Sequence, residues 1–372
     1  MSGIYIHIPF CRRRCNYCDF YFITNTRLID EYISSLKKEI SLYSDYCKNL
    51  NFDSVYFGGG TPSVLSASQI STVLHELHSQ FNLNGNTEIS MEANPEDFID
   101  AGFEDYKSAG ITRISFGVQS FIDSELKFLT RQHTSSLSVS VIERAMKHIE
   151  NINLDIIYSL PGQKLTDIEY SLDKSINLGV THISAYTLTY EEKTLMFKML
   201  KDKIIIKNPS DTESKFFGFV SEKLIAAGFR HYEVSNFAKE GFECRHNLKY
   251  WNYENYLGLG PSSHSFIEGK RWNNLKSVSK YTERIKEKKL PLEEKYEPSA
   301  SQRKLEFIML SLRSKGIDIK KYNVLFNTNF DEEYSESVSA LIRNKFAQRN
   351  FNCFSLSEEG YAIADEIIAR YF

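Results

Sequence analysis

The chain has 372 residues, 42% of them hydrophobic, and a formal net charge of −3. That is enough apolar material for one large α/β domain and a small second one, and a pI near 6.3 offers no overall basic field to nucleic acid or anionic lipid. Six cysteines, half of them in one short run, fit a reducing compartment rather than a disulfide framework.

The first predicted strand, Tyr5 to Ile8, begins almost at once, with no basic n-region, long apolar h-region or small-residue cleavage site before it. No apolar run approaches the length of a membrane span, so a cytoplasmic protein without an integral membrane segment is expected. Directly after this strand, Cys11-Arg12-Arg13-Arg14-Cys15-Asn16-Tyr17-Cys18 clusters three thiols. A structural zinc site wants four ligands, usually as two separated pairs, whereas this run stops at three and has Phe20 two positions further on. Three thiolates on an iron-sulfur cubane, which takes one per iron, leave one iron open to an outside ligand. The alternatives are a zinc half-site completed by His7 or a distant cysteine, and three bare thiols. Cys47, Cys244 and Cys353 read most simply as isolated buried thiols.

Further strands are predicted at Ser54 to Phe57, Glu88 to Glu92, Arg113 to Gly117, Asn153 to Tyr158 and His182 to Ala185. Helical spacing separates them, as in Tyr32, Leu36, Ile40, Tyr43 and in Ile70, Val73, Leu74, Leu77. Six such βα units predict a parallel sheet, because each crossover must return over the sheet face. The chemically unusual residues fall at the carboxyl ends of these strands: the cysteines, Gly58-Gly59-Gly60-Thr61-Pro62, Glu92-Ala93-Asn94-Pro95, Gln119, Ser159-Leu160-Pro161-Gly162, and Tyr186 with Thr189. A (β/α) barrel builds its active site from those ends. Consecutive glycines let backbone approach a ligand closely, although alone they fit a plain loop equally well. Asp155 stands in an otherwise apolar run, where an unpaired charge is costly.

Beyond residue 190, Lys198 to Lys207 reads as a solvated linker or connecting helix, followed by a helix from Thr212 to Gly228. Phe229 to Phe266 is dense in aromatics, His, Asn and Gly. The last part predicts helices at Ser301 to Ser314 and Asp331 to Lys345, a hairpin near Asn350 to Ser355, and a final helix Glu358 to Tyr371, together suggesting a winged-helix shape. The expected division is a core domain 1–235, a connecting segment 236–297 and a C-terminal helical domain 298–372.

The cysteine run resembles the signature of the radical S-adenosylmethionine (SAM) superfamily, and the glycine run resembles the motif by which its members bind the methionine amino group. Tyr5-Ile6-His7-Ile8-Pro9-Phe10-Cys11, Phe116-Gly117-Val118-Gln119-Ser120-Phe121, Arg131, Asp155-Ile156-Ile157-Tyr158-Ser159-Leu160-Pro161-Gly162 and Glu306-Phe307-Ile308-Met309-Leu310 extend the likeness over nearly the whole chain. They resemble oxygen-independent coproporphyrinogen III oxidase and its close relatives. This resemblance implies a partial (β/α)6 TIM-like barrel of the radical SAM type with a small C-terminal domain. It also implies a [4Fe-4S] cluster on Cys11, Cys15 and Cys18, and SAM contacts from Tyr5, Gly59, Gly60, Thr61, Glu92, Gln119, Arg131 and Asp155. Tyr17 would lie near the adenine.

Two departures set the chain apart from the oxidase pattern: Phe20 where that pattern has a further cysteine, and a cluster beginning at residue 11, which leaves little chain to cover a porphyrinogen. Both, with His246-Asn247-Leu248-Lys249-Tyr250-Trp251, resemble the relatives regarded as heme chaperones, the HemW type. That resemblance implies heme binding, heme-accepting partner proteins such as respiratory enzymes, and an electron donor. The oxidase activity is the alternative. His246 is the candidate heme ligand, against the reading of a packed core histidine; His7, His231 and His264 compete for the role. Cys244 could also ligate or bond heme, a buried thiol being the simpler reading.

Overall fold

The structure, a computed structural model, describes residues 1–100 and 102–372. β1 (Ser2–Ile8), β2 (Asn51–Gly59), β3 (Asn82–Ala93), β4 (Arg113–Gln119), β5 (Asn151–Tyr158) and β6 (His182–Thr187) lie side by side in chain order, each parallel to the next. The six predicted strands are all present. Each alternates between two faces. Ile4, Ile6, Ile8, Val55, Phe57, Ile114 and Phe116 are fully buried in the main apolar core. The helices that cover the sheet present matching faces. Helix Ile29–Leu42 buries Tyr32, Leu36 and Ile40, and helix Ala67–Gln80, started by a Ser66–Gln69 capping box, buries Ile70, Val73, Leu74 and Leu77.

The other face of the same strands is polar. It carries Tyr5 and His7, Ser54 and Tyr56, Glu88, Ser90 and Glu92, Arg113 and Ser115, Asn153 and Asp155, and His182 and Ser184. Hydrogen bonds from strand to strand satisfy this interior, for example Ser115 Oγ to Asp155, Asn153 Nδ2 to Ser115 Oγ at 2.6 Å, and His182 Nδ1 to Asn153 Oδ1 at 2.5 Å.

The sheet extends past both edges of the six-strand unit and reaches twelve strands without closing. On one side β7 (Arg230–Glu233) and β8 (Asn236–Ala238) form a hairpin that joins β6 through β8. On the other, β9 (Tyr256–Leu259) runs parallel to β1, and β10 (His264–Ile267), β11 (Lys270–Asn274) and β12 (Leu292–Tyr296) continue antiparallel. Residues 236–297 therefore add β8 to β12 to the same sheet. The fully buried Glu39 ties this edge to the first helix, accepting from Gly260 N (2.7 Å), Asn274 Nδ2 (2.5 Å) and Tyr281 Oη (2.6 Å).

The C-terminal part has its own core, with Phe307, Ile308, Tyr322, Phe330, Leu341, Phe354 and Ile367 buried together. It combines helices with a small antiparallel sheet of β13 (Ile317–Asp318), β14 (Ala347–Asn350) and β15 (Cys353–Leu356) in the order β13-β15-β14. Several boundaries differ from the sequence expectation. The helix expected over Asp331 to Lys345 is split into Phe330–Glu333 and Ser335–Arg343 at Tyr334, and the final helix into Glu358–Ala362 and Ala364–Tyr371 at Ile363, both non-helical in backbone angles. Helix Leu195–Lys201 stops where Lys203 takes a positive φ of 57°. Cys353 is only partly buried, whereas Cys47 and Cys244 are buried.

Candidate functional site

The loop after β1 is pinned at its root, with Ile23 N donating to Pro9 O (2.8 Å) and Cys11 N to Ile23 O (3.0 Å). This closed excursion brings Cys11, Cys15 and Cys18 to one wall of a cavity of about 950 Å³ at the carboxyl ends of the parallel strands. Each sulfur faces at least one donor: Thr61 Oγ1 reaches Cys11 Sγ at 3.3 Å, Arg131 Nη1 reaches Cys15 Sγ at 3.5 Å with the Tyr17 hydroxyl beside it, and the Phe20 N–H points at Cys18 Sγ. Burial pushes the Cys11 thiol up to about 12, against the Thr61 hydrogen bond. A donor aimed at every sulfur suits anionic, metal-bound sulfur. Among the described residues no three His, Cys, Asp or Glu side chains converge to hold a single metal ion, whereas a cubane takes its thiolates at separate corners. The donor set thus fits a [4Fe-4S] cluster.

Directly beside Cys11 lies the glycine loop. Gly60 N donates to Ile8 O and Thr61 N to Phe10 O, both at 2.8 Å, carrying the β1–β2 ladder past the strand ends. Gly59 has φ 106°, and a Cβ on it would stand 2.5 Å from the His7 ring; a Cβ on Gly60 would stand 2.7 Å from both Ile8 O and Phe10 O. Only glycine fits where the two loops press together.

The floor is acidic. Glu92 accepts from Tyr56 Oη at 2.9 Å and from Gly59 N at 3.2 Å; burial, with the neighbouring Asp155, raises its carboxyl to about 7. Asp155 is likewise raised by burial, with Asn153, Ser184, Arg113 and Ser115 opposing. Arg113, 2% exposed, is a buried cation beneath this floor. Arg131 spans floor and cluster loop: Nη2 donates to Asn94 Oδ1 (2.5 Å) and Gly117 O (3.0 Å) and stands 3.8 Å from Glu96. Gln119 and Thr130, both lining the cavity, hold positive φ values of 69° and 58°, the kind of backbone strain that collects at functional sites.

Cys11, Cys15, Cys18, Tyr17, Gly59, Gly60, Thr61, Glu92, Gln119, Arg131 and Asp155 thus share one cavity. Tyr5 does not line it; it lies beneath the floor, its hydroxyl 3.2 Å from His7 Nδ1 and its ring against Tyr56. His246 is not brought to the cavity either. It sits on helix Arg245–Trp251, 1% exposed, stacked on Tyr56, with Nδ1 3.1 Å from Ser54 Oγ and Nε2 2.8 Å from Tyr250 Oη. Burial lowers its pKa to about 3. Neither ring nitrogen is free. His7 is buried and bonded to Tyr21 O, His231 packs against Glu358 of the C-terminal part, and His264 is exposed on β10.

The radical SAM superfamily model matches residues 5–174, and the HemN C-terminal domain model matches residues 299–363. The heme chaperone HemW of Bacillus subtilis (strain 168) is 32% identical across 100% of this chain and 99% of its own length. This chain belongs to the HemW family. HemW of Lactococcus lactis is also 32% identical, over 100% of this chain and 97% of its own. The solved structure of coproporphyrinogen III oxidase (HemN) from Escherichia coli, a radical SAM enzyme, matches with a TM-score of 0.84 over 99% of this chain and 89% of that one, at 19% identity. That likeness is one of fold.

In this HemW-family cavity, Asn94, Glu96 and Ser115 line the wall, and Arg113, Asn153 and His182 lie beneath it; of these the sequence marked only Asn94, at the end of β3. For Arg113, Ser115, Asn153 and His182 the alternation of polar residues along a strand marks an inward face, although which of them meet is set by strand pairing.

Proposed function

We propose that the protein binds a [4Fe-4S] cluster through Cys11, Cys15 and Cys18, holds SAM in the same cavity, and carries heme to acceptor proteins such as respiratory enzymes. The observation that carries the cofactor reading is the convergence of three donor-facing thiols, the glycine loop and Arg131 on one cavity. When bound, the cluster supplies an open iron and a reducing electron, delivered to it by a separate electron donor. The chain's own part is to bind and orient. Gly59 and Gly60 let a ligand approach the backbone closely, the N–H groups of this loop being spent on Glu92, Ile8 O and Phe10 O, while Glu92 and Asp155 offer acceptors to hydroxyls or an ammonium, Gln119 adds an amide, and Arg131 can pair with a carboxylate. Tyr17 forms an apolar wall with Leu188 and Ile157.

Heme carriage rests on family membership, with HemW chaperones related over their full length. The second reading, oxidative decarboxylation of coproporphyrinogen III, is favoured by the HemN fold. Phe20, in place of a further cysteine of the oxidase pattern, weighs against it. Anaerobically reconstituted protein given SAM, reductant and coproporphyrinogen III tests the choice when hemin is titrated in parallel. Heme binding without carbon dioxide release supports the chaperone; turnover without heme binding overturns it.

A further inference from the structure

The cavity is large and not uniform. At about 950 Å³ it lies at the upper end of single-ligand pockets, roughly 300–1,000 Å³, and its outer rim has a different character from its floor. Phe20, 68% exposed, stands there with Phe22, whereas Tyr186 faces the acidic floor beside Asp155 and Glu92. An aromatic ring left in water beside a deep cavity calls for a ligand face. Arg12 and Arg13 also line the cavity, Arg14 follows them in the chain just outside its lining, and all three are exposed. Arg12 is paired with Asp97 at 2.6 Å, while Arg13 donates to the Gln132 amide and Arg14 to the Lys193 carbonyl, so among the described residues these two cations have no acidic partner. The rim acids Asp19 and Glu191 confine the cationic side to the arginine run. Among the described residues no histidine lines the cavity, and His246 is sealed beneath the floor.

From this we infer that heme docks across the mouth of this cavity, its face on Phe20 and Phe22 and its propionates on Arg13 and Arg14. The site rests on the heme-carrying reading above and gives it a location. A planar, apolar dianion matches an aromatic surface edged by two unpaired guanidiniums, which hold carboxylates bidentately. Its iron takes no imidazole from this chain. The residue that replaces a cysteine of the oxidase pattern becomes part of the cargo surface.

The test is an anaerobic titration of the full chain with hemin and with hemin dimethyl ester, which lacks the carboxylates. Phe20→Ser removes an exposed ring and leaves folding intact; it weakens both probes roughly tenfold. Arg13→Ser with Arg14→Ser weakens hemin roughly tenfold and leaves the ester unchanged. His246→Asn shifts affinity less than twofold, and the bound ferric heme of the wild type lacks a low-spin imidazole spectrum. Iron and sulfide content of each variant shows that the cluster loop is intact. Wild-type hemin affinity in the Phe20 and arginine variants, or loss of binding in His246→Asn alone, overturns the site while the heme reading stands. Absence of hemin binding by the wild type overturns the heme reading itself.

Discussion

The Arg131 guanidinium donates to Cys15 Sγ across 3.5 Å while its other terminal nitrogen is held by Asn94 Oδ1 and Gly117 O. One buried cation thus links the cysteine loop to the ends of β3 and β4. Replacing it by methionine keeps the apolar stem and removes the charge. A charged hydrogen bond contributes about 1.5–3 kcal/mol, so Arg131→Met is expected to weaken SAM binding by roughly 10- to 100-fold in equilibrium dialysis. Unchanged SAM affinity would remove Arg131 from the binding residues.

Gly60 lies where the glycine loop presses on the cysteine loop. A methyl there meets the backbone of Ile8 and Phe10, which cannot rotate away as a side chain could. Gly60→Ala is expected to cost about 1–3 kcal/mol in urea unfolding and to weaken SAM binding more than tenfold. Stability and affinity equal to wild type would contradict the packing described.

Buried Glu39 makes stability depend on pH. Its carboxyl is raised from 4.5 to about 7, first by burial, with Tyr281, Gly260 and Asn274 opposing. Between these values the unfolded chain gives up its proton before the folded one, so the stability tied to Glu39 is full below pH 4.5 and is lost as pH rises through about 7. His7 and His246 act the other way, losing stability as pH falls below 6.5 toward about 4 and about 3. They are common to wild type and variant and cancel in the difference. Glu39→Gln, which turns one acceptor into a donor facing donors, is expected to be about 1–3 kcal/mol less stable at pH 5, with the gap narrowing by pH 8. A gap that widens over that range contradicts the assignment.

Gly3 gives a test of the sealed His246. A Cβ on Gly3 would stand 2.9 Å from His246 Nδ1 and 3.0 Å from Ser54 Oγ. Gly3→Ala is therefore expected to destabilise by about 1–3 kcal/mol, and His246→Asn, which removes part of the ring, to recover at least 0.5 kcal/mol of that in a double-mutant cycle. Strict additivity would place His246 elsewhere.

The six parallel strands were legible because β-rich runs alternate with helical spacing, and the thiol and glycine loops because such residue types have few other uses. The outer strands were not. β9 pairs with β1 across some 250 residues of chain, and strands of four residues such as β9 and β10 carry no measurable period. The location of His246 was hidden for a similar reason, being set by Gly3, Ser54 and Tyr56 from two distant strands. Its sequence motif indicated a distinctive environment without indicating depth. Arg113 and His182 belong to a polar layer that only the pairing of strands assembles.

Electron paramagnetic resonance of the anaerobically reconstituted, reduced protein, with and without SAM, tests the central claim most directly. The account predicts a [4Fe-4S] signal whose shape changes when SAM is added, as expected for a ligand on an iron left open by three thiolates, and no such signal in Cys15→Ala. A cluster spectrum that SAM leaves unchanged, or one that survives in Cys15→Ala, would contradict it.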